Sequence, residues 1–440
     1  MIMSFTVLGL GFGDEGKGHV VDYLCNTYPV DLVVRFSGGQ QAGHTVVLEP
    51  RDGKPVAHVF SQFGSGTLAG ADTYISRYMM FSPEAAEVEA EHLHALGVAE
   101  PLSKLYVARE TIISTTYDLM YHRERLAKVG ETCGTGTHAT HLYYRQYGMD
   151  SIFAGDLLDR GTLVKKLELQ RTRYGLRRDQ LHSAVEFLAD RLHDIGHKIR
   201  ILSHGGLPQV GDDRYIVYEG SQGMLLDEHY GFPPTTWGDL TAANARELML
   251  RQGVKRNCCV GVTRAYGTRH GVGEFPCEFK NGAPPEYHLP NEESKWQGPM
   301  RYGYLDAVTL AYVATVAGFH LGALALTCLD DVHGHPVLSY MSSANAEAML
   351  RLWHTERHNG YENRPAELPY MMWSRLRKMP TDQLLSTLRA MLKVRSALVS
   401  NGPRFSNMTD DITESAFLPV NQMFDPSDVV DLRVLDDVAQ

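Results

Sequence analysis

The feature that most constrains the fold lies near the start of the chain. It is a short apolar strand, followed by a glycine-rich turn and then by a helix-like pattern. The segment VLGLGFGDEGKGHVVDYL spans Val7–Leu24, and it fits G-x-x-x-x-G-K from Gly11 to Lys17. Backbone N–H groups leading into a helix form an anion site, and a lysine beside them suits a nucleotide phosphate. A P-loop also needs a Ser or Thr after the lysine, where this chain has Gly18. The loop therefore predicts phosphate binding without the ordinary P-loop hydroxyl.

The acid Asp14 lies inside this loop, where a negative charge would repel bound phosphates. Either a magnesium ion lies between them or the acid accepts a proton. His44 follows the next strand in QQAGHT, and imidazole is the side chain that donates a proton near neutral pH. We predict that both residues are catalytic. The alternative is that the loop is only a tight turn and that His44 is a packed or capping residue.

The order of these elements predicts a parallel sheet. Strands are expected at Phe5–Leu10 and Asp31–Phe36, separated by a helix over about 18–25, and this β-loop-α-β order implies parallel pairing. Loops after adjacent parallel strands share the carboxyl edge of the sheet, where ligands bind. The fold is therefore expected to be α/β, with a large, mostly parallel central sheet and surrounding helices. Further strands are expected at Lys104–Ala108, Ile199–Leu202, Tyr215–Tyr218, Cys258–Val262 and Ala323–Cys328, and helices at Pro83–Leu96, Ser114–Val129 and Arg178–Ile195.

Composition is that of an ordinary globular protein. The 440 residues, 43% apolar, can fill the core of one large domain. We expect a single domain over 1–440, with helical and loop subdomains at about 80–200 and 280–420. A net charge of −10 gives no reason to expect a nucleic acid or membrane partner. No targeting segment or apolar run long enough to span a membrane is recognised, and the six cysteines show no metal or disulfide spacing, so a cytoplasmic location with reduced thiols is expected.

More glycine turns with polar side chains follow later strands. YEGSQG ends a strand with Gln222, and GVTRAYGTRHGVGEFPCE carries Thr268 and Arg269. Basic residues among glycines at a strand end suit phosphate or carboxylate recognition, although each could form a surface ion pair. LALTCLDDV ends a further strand with Asp330, a weak sign of base recognition.

Taken together, these loops resemble the adenylosuccinate synthetase family. GLGFGDEGKG, GGQQAGHT, YEGSQG, AYGTRHGVGEFP, TCLD and SNGP are similar to family signatures, in the family's order, from Val7 to Pro403. The resemblance implies a carbon–nitrogen ligase of purine biosynthesis. Such an enzyme uses a nucleoside triphosphate to phosphorylate O6 of a purine nucleoside monophosphate such as IMP. The amino group of L-aspartate then displaces that phosphate.

The resemblance also implies roles for individual residues. Asp14 would take the proton from purine N1 and bind Mg²⁺ with the carbonyl of Gly43, and His44 would assist phosphoryl transfer. Arg145 corresponds to an arginine that the family donates across a homodimer interface. Nucleotide and phosphate binding is implied for Gly13, Glu15, Gly16, Lys17, Gly18, Gln41, Gly43, Thr45, Thr132, Cys133, Arg145, Gln222, Thr235, Thr236, Asp330, Ser400 and Gly402. Amino-acid binding is implied for Thr268, Arg269 and Arg301.

Departures from the family's motifs leave the substrates open. Cys328 replaces the lysine of T-K-L-D, so the donor is GTP or ATP. Only Arg301 remains of an arginine run that holds the aspartate carboxylates, so the amine is aspartate or another amino acid. Gln41 replaces an asparagine near the base and permits (d)GMP, which would give a succinylated 2-aminopurine nucleotide. A nucleotide-binding regulatory protein without ligase activity is the alternative of another class, and retention of Asp14 and His44 argues against it.

Overall fold

The structure is a computed structural model that describes residues 1–51, 54–126, 133–176, 185–290, 293–294, 296–358, 370, 372–422 and 424–438. Thr132, for which phosphate binding is implied, lies outside the described residues. The strands are β1 (Met3–Gly9), β2 (Val30–Arg35), β3 (His44–Arg51), β4 (Lys54–Phe60), β5 (Asp72–Ile75), β6 (Leu105–Val107), β7 (Arg200–Ile201), β8 (Tyr215–Gly223), β9 (Arg256–Arg264), β10 (Gly267–His270), β11 (Glu293–Ser294), β12 (Gly298–Gly303), β13 (Leu305–Asp306), β14 (Ala323–Thr327), β15 (Val337–Tyr340), β16 (Arg375–Lys378), β17 (Ser396–Ser400), β18 (Met408–Asp410) and β19 (Leu418–Pro419). The α-helices are α1 (Lys17–Thr27), α2 (Pro83–Ala95), α3 (Thr116–Tyr121), α4 (Thr137–Tyr147), α5 (Arg160–Arg173), α6 (Val185–Lys198), α7 (Ala243–Gln252), α8 (Ala307–Val316), α9 (Ser343–His358), α10 (Thr381–Met391) and α11 (Val434–Val438).

Among the described residues, eleven strands form one central sheet. Its order is β18-β17-β14-β9-β1-β8-β2-β5-β6-β7, and β19 pairs with β9 off this path. Neighbours pair in parallel except at β17–β18 and β9–β19. The predicted large, mostly parallel sheet is confirmed, and the loops that follow β1, β8, β9 and β14 share one edge.

The apolar run of β1 serves two cores at once because successive side chains point to opposite faces of a strand. Phe5 and Val7 pack with Val20 and Val21 of α1 on one face. Leu8 packs on the other face, in the core that contains most of α8. The strand is therefore held rigidly on both sides, and so is the turn that leaves its carboxyl end.

A third core lies within residues 46–199 and includes parts of α2, α5 and α6. It overlaps the helical subdomain expected at about 80–200, and that division of the chain stays a prediction. The helix expected over Ser114–Val129 differs: α3 ends at Tyr121 and a π-helical turn, His122–Leu126, follows. Residues 127–129 and the first part of the helix expected at Arg178–Ile195 lie outside the described ranges.

All six cysteines are free thiols. Cys25, Cys258, Cys259 and Cys277 are buried, and Cys133 and Cys328 are half-buried, in line with the expectation of reduced thiols. Within the described ranges, no helix is both long and apolar enough to cross a bilayer.

Candidate active site

The glycine loop between β1 and α1 is built around the side chain of Glu15. This carboxylate accepts hydrogen bonds from the backbone N–H groups of Gly11, at 3.0 Å, and Gly13, at 2.8 Å. It also forms an ion pair with Lys17 at 2.6 Å. Both side chains of the pair are about 3% exposed. The sequence analysis grouped Glu15 with the phosphate-binding residues, whereas its carboxylate lies beneath the loop and fixes the loop's shape.

Gly18 shows why this loop differs from a P-loop. A Cβ atom at Gly18 would lie 2.9 Å from the Cβ of His44 and 3.2 Å from its carbonyl carbon. The first turn of α1 thus packs directly against the second loop, and a serine or threonine would not fit without moving one of them. The position that carries a hydroxyl side chain in a P-loop is therefore occupied here by a close backbone contact between the two loops.

Asp14 faces the opposite direction from Glu15. Its backbone is left-handed, with φ of 59°, and its side chain is 39% exposed. One carboxylate oxygen lies 3.3 Å from Nε2 of His270, and Arg264 donates a hydrogen bond to the Asp14 carbonyl. Burial opposes ionisation, but the His270 hydrogen bond and the charges of Arg264, His270 and Lys17 lower the pKa of Asp14 overall. Asp14 is therefore held as an accessible carboxylate.

His44 lies at the start of β3 between two acceptors. Its Nδ1 is 2.5 Å from a carboxylate oxygen of Glu219, and its Nε2 is 2.7 Å from the carbonyl oxygen of Ser221. Burial opposes ionisation of Glu219. The neighbouring His44 and Arg35 outweigh that effect and lower the pKa of Glu219 to about 2, so it accepts as a carboxylate. Both ring nitrogens of His44 therefore lie against hydrogen-bond acceptors, one a carboxylate and the other a backbone carbonyl.

Glu219 is a site residue that the sequence analysis did not select. It is fully buried in the middle of β8 and also accepts hydrogen bonds from the N–H and hydroxyl of Ser65. The signal was its position in YEGSQG, directly before the glycine turn. The pairing with His44 could not be read from that position because the two residues are 175 positions apart.

One cavity of about 490 Å³ lies at the shared strand edge. It brings together the ends of β1, β8, β14 and β17 with the loop before β3. Its walls contain most of the predicted nucleotide and catalytic residues. These are Gly13, Asp14, Gly16, Lys17, Gly18, Gln41, Gly43, His44, Thr45, Gln222, Asp330, Ser400 and Gly402.

A second cavity, of about 320 Å³, shares Gln41 and Gln222 with the first. Cys133, Thr235 and Thr236 line it, and phosphate binding by them stays a prediction. Both amide atoms of Gln41 and the amide oxygen of Gln222 are buried without a hydrogen-bond partner. Buried polar atoms normally have partners, so these amides point to a polar ligand that spans the two cavities.

Arg269, expected to bind an amino acid, is committed to the protein backbone. Its guanidinium donates to the carbonyl groups of Phe232 at 3.0 Å, Pro234 at 3.3 Å and Glu274. It also lies over the ring of Phe12 at 4.3 Å. The side chain is 1% exposed, so its contacts shape the cavity wall.

Arg301 is similarly engaged. Its guanidinium forms a two-point ion pair with Glu278 and donates to the carbonyls of Gly271 and Gly273, both at 2.9 Å. It lies outside the two nucleotide-sized cavities. The hydroxyl of Thr268, the third residue expected to bind an amino acid, donates to the carbonyl of Gly13 at 3.0 Å.

Arg145 lies exposed in the last turn of α4 and outside both cavities. Arg145 therefore does not reach the two cavities of its own chain in this structure. The expected role across a homodimer interface stays a prediction.

The donor set fits a magnesium ion that arrives with a nucleotide. Among the described residues, no group of three or more His, Cys, Asp or Glu side chains could hold a metal ion. Mg²⁺ commonly uses one or two carboxylates together with substrate phosphates. Asp14 and Gly43 line the cavity beside the loop amides, which is that kind of arrangement.

Two glycine loops that carry a carboxylate and a histidine at the carboxyl edge of a parallel sheet are typical of a nucleotide-dependent α/β enzyme. The model of the adenylosuccinate synthetase family matches residues 6–343, and the chain belongs to that family of carbon–nitrogen ligases in purine biosynthesis. The predicted family and enzyme class are confirmed.

Relatives and solved structures agree with this placement. The adenylosuccinate synthetase of Desulforudis audaxviator is 33% identical over 366 residues, 76% of this chain and 79% of its own length. That of Desulforamulus reducens is 30% identical over 364 residues, 77% of this chain and 80% of its own.

Two solved structures share the fold. The fully ligated adenylosuccinate synthetase from Plasmodium falciparum has a TM-score of 0.67 at 18% identity, covering 92% of this chain and 98% of its own. The cyanophage S-2L succinoaminodeoxyadenylate synthetase (PurZ), bound to dGMP and to dATP as an energy donor, has a TM-score of 0.58 at 15% identity, covering 94% and 96%.

Proposed function

We propose that this chain phosphorylates O6 of a 6-oxopurine nucleotide with a nucleoside triphosphate and then joins C6 to the amino group of an amino acid. The observation that carries the proposal is the convergence of Asp14 and His44 on a cavity in which both amide atoms of Gln41 and the amide oxygen of Gln222 are buried without a hydrogen-bond partner. A pure nucleotide binder would need neither the exposed carboxylate nor the histidine.

Asp14 would accept the N1 proton of the purine, which moves an electron pair onto O6. O6 then attacks the γ-phosphorus, and the bond from that phosphorus to the oxygen of the departing nucleoside diphosphate breaks. The imidazolium of His44 would stabilise the negative charge that develops during this transfer. The amine next attacks C6, the C6–O6 bond breaks, inorganic phosphate leaves, and the amine loses its extra proton.

Binding roles follow from the cavity walls. The loop amides and Lys17 would hold donor phosphates, and Cys133, Thr235 and Thr236 would hold the acceptor's 5′-phosphate. When bound, Mg²⁺ would lie against Asp14 and Gly43 and neutralise phosphate charge. A homodimer, in which Arg145 of a second copy completes the phosphate site, belongs to this proposal, as does a single domain over residues 1–440 working in the cytoplasm.

The donor and the amine are the least constrained substrates. Asp330 lines the donor cavity next to Cys328, whose short side chain cannot cover a base as a lysine stem does, so we propose both GTP and ATP as donors. Aspartate is the first choice of amine. Arg269 and Arg301 already have internal partners, which favours testing other amino acids beside it.

A second candidate acceptor is (d)GMP. The amide oxygen of Gln41 is buried and without a partner, so it could accept a hydrogen bond from a 2-amino group that IMP lacks. The product would be a succinylated 2-aminopurine nucleotide, with ATP as donor. The shared fold of a phage enzyme solved with dGMP and dATP supports including this reaction.

The test is a matrix of IMP, GMP and their deoxy forms against aspartate and other amino acids, with GTP or ATP and Mg²⁺. Phosphate release and product mass are measured for each combination. We expect release that requires both an acceptor and an amine, with a new carbon–nitrogen adduct. Binding of nucleotides without release in any combination would instead indicate a regulatory nucleotide-binding protein.

A further inference from the structure

Three successive carbonyl groups of the glycine loop are held by side chains from other strands. Gly13 accepts from the hydroxyl of Thr268 at 3.0 Å, and Glu15 accepts from the hydroxyl of Thr327 at 2.7 Å. Between them, Asp14 accepts from the guanidinium of Arg264. Of the three donors, Arg264 alone is charged, and it holds the residue whose backbone is left-handed.

Left-handed backbone is unfavourable for a residue with a Cβ atom and persists where the surroundings enforce it. Asp14 has φ of 59°. The Arg264 hydrogen bond fixes the peptide plane that follows Asp14, and thereby the direction in which the carboxylate leaves the loop. Without it, the loop could relax, and the carboxylate would move relative to the cavity.

Arg264 is itself held by a second contact. Its NH1 group donates to the hydroxyl of Tyr266 at 2.9 Å, and that hydroxyl donates to Asp331 at 2.6 Å. Tyr266 is 1% exposed, so this path runs through the interior. Asp331 lines the same cavity as Asp14, directly beside Asp330.

We propose that Arg264 is the positioning residue for Asp14, and that Asp331, through Tyr266, holds Arg264 in place. The planar guanidinium suits the task because it donates in two fixed directions at once, which an ammonium group cannot do. The Asp331 carboxylate thereby links the base-binding end of the donor cavity to the catalytic loop. The inference rests on the proposed function for its kinetic consequences, but the geometry of the loop can be tested without turnover.

The kinetic test uses the full chain with the substrates that the matrix identifies. A misplaced catalytic group costs about 100-fold in rate, so Arg264→Gln is expected to lower kcat by about that factor. Arg264 also lines the nucleotide cavity, but its guanidinium donates to Asp14 and Tyr266, so KM for donor and acceptor should stay within about threefold. Arg264→Lys, which can restore the contact with Asp14 but not simultaneously the one with Tyr266, should fall between wild type and Arg264→Gln.

The path to Asp331 has its own variants. Tyr266→Phe and Asp331→Asn should each lower kcat by about 10-fold, the lower end of the effect of one hydrogen bond to a charged group. The double variant should be no worse than the poorer single one, because all three disrupt the same path. If Asp331→Asn instead raises the donor KM at unchanged kcat, Asp331 contacts the base directly and the proposal is overturned.

Hydrogen–deuterium exchange separates this inference from the proposed function. In Arg264→Gln, the peptide covering residues 11–18 should exchange faster than in wild type, while the peptide of β2 should not change. Unaltered exchange in residues 11–18 overturns the positioning role whatever the enzyme does. Faster exchange in a protein that shows no ligase activity would retain the positioning role and reject the proposed reaction.

Discussion

The glycine loop and the arginine-bearing wall of the cavity use their charged residues differently. In the loop, Glu15 and Lys17 neutralise each other below the backbone, and Asp14 is left accessible. On the wall, Arg269 donates to three backbone carbonyls, and Arg301 donates to two carbonyls and to Glu278. The loop therefore leaves a carboxylate accessible to a ligand, whereas the guanidinium groups of the wall form contacts within the protein.

The difference teaches that charge near a cavity is not the same as charge available to a ligand. An arginine has five donors, and backbone carbonyls of irregular loops can engage several of them, as they do at Arg269. A carboxylate that accepts hydrogen bonds from the backbone N–H groups of a turn is likewise unavailable to a ligand, as Glu15 is. Which acid of the pair Asp14–Glu15 remains free depends on the direction of each side chain, not on its type.

Asp14→Asn tests the loop with the largest expected effect. An amide cannot accept the N1 proton, so kcat should fall by about 10³-fold, with little change in thermal stability. Phosphate release and thermal unfolding measure the two effects. Asp212→Asn, at an exposed position, is the matched control and should leave both unchanged. A folding defect in Asp14→Asn would contradict the catalytic role.

Glu219→Gln tests whether the imidazolium of His44 needs its buried counter-charge. We expect kcat to fall by about 10²-fold, and stability to fall by about 3 kcal/mol since a buried charge loses its partner. Turnover and denaturant unfolding measure these effects. Ser65→Ala removes one hydrogen bond to Glu219 but keeps the charge, and it should cost only about 1 kcal/mol. Equal turnover in both variants would exclude an electrostatic role for Glu219.

Glu278→Gln tests the arginine-bearing wall. Releasing Arg301 from its ion pair should lower KM for aspartate by about fivefold, as expected for one partly exposed charge pair, provided that Arg301 can turn towards the amino acid. Glu286→Gln, which breaks the exposed ion pair with Lys378, is the control. An unchanged or higher KM would mean that Arg301 serves only the fold.

The pH dependence of stability gives the smallest effect. His19 in α1 and His141 in α4 are both buried, and that burial lowers the pKa of each from 6.5 to about 4. Between these values the unfolded chain binds more protons than the folded one, so stability should decrease as pH falls from 6.5 to 4. His141→Gln should flatten this part of a plot of unfolding free energy against pH. An identical slope in His141→Gln would contradict the assignment.

The main elements of the fold were predictable because their signals are local. An apolar run, a glycine turn and a helical period identify β1 and α1 directly, and parallel pairing follows from their order. The segment after α3 was not predictable as a π-helical turn, since its residues continue a helical pattern. Parallel strand ends then bring the loops of distant segments together, which is why Asp14, His44 and Asp330 could be assigned to one site.

The sequence by itself determined which residue types stand at the strand ends, the family to which the chain belongs and the chemistry those residues permit. The tertiary structure decided which charged side chains form ion pairs or hydrogen bonds within the protein. Glu15 forms an ion pair with Lys17, and Arg301 forms one with Glu278. Arg269 donates to three backbone carbonyls, and His44 lies against the carboxylate of Glu219. Hydrogen bonds and ion pairs act only over a few ångströms, so a charge's partner depends on side-chain direction and on neighbours brought from elsewhere in the chain.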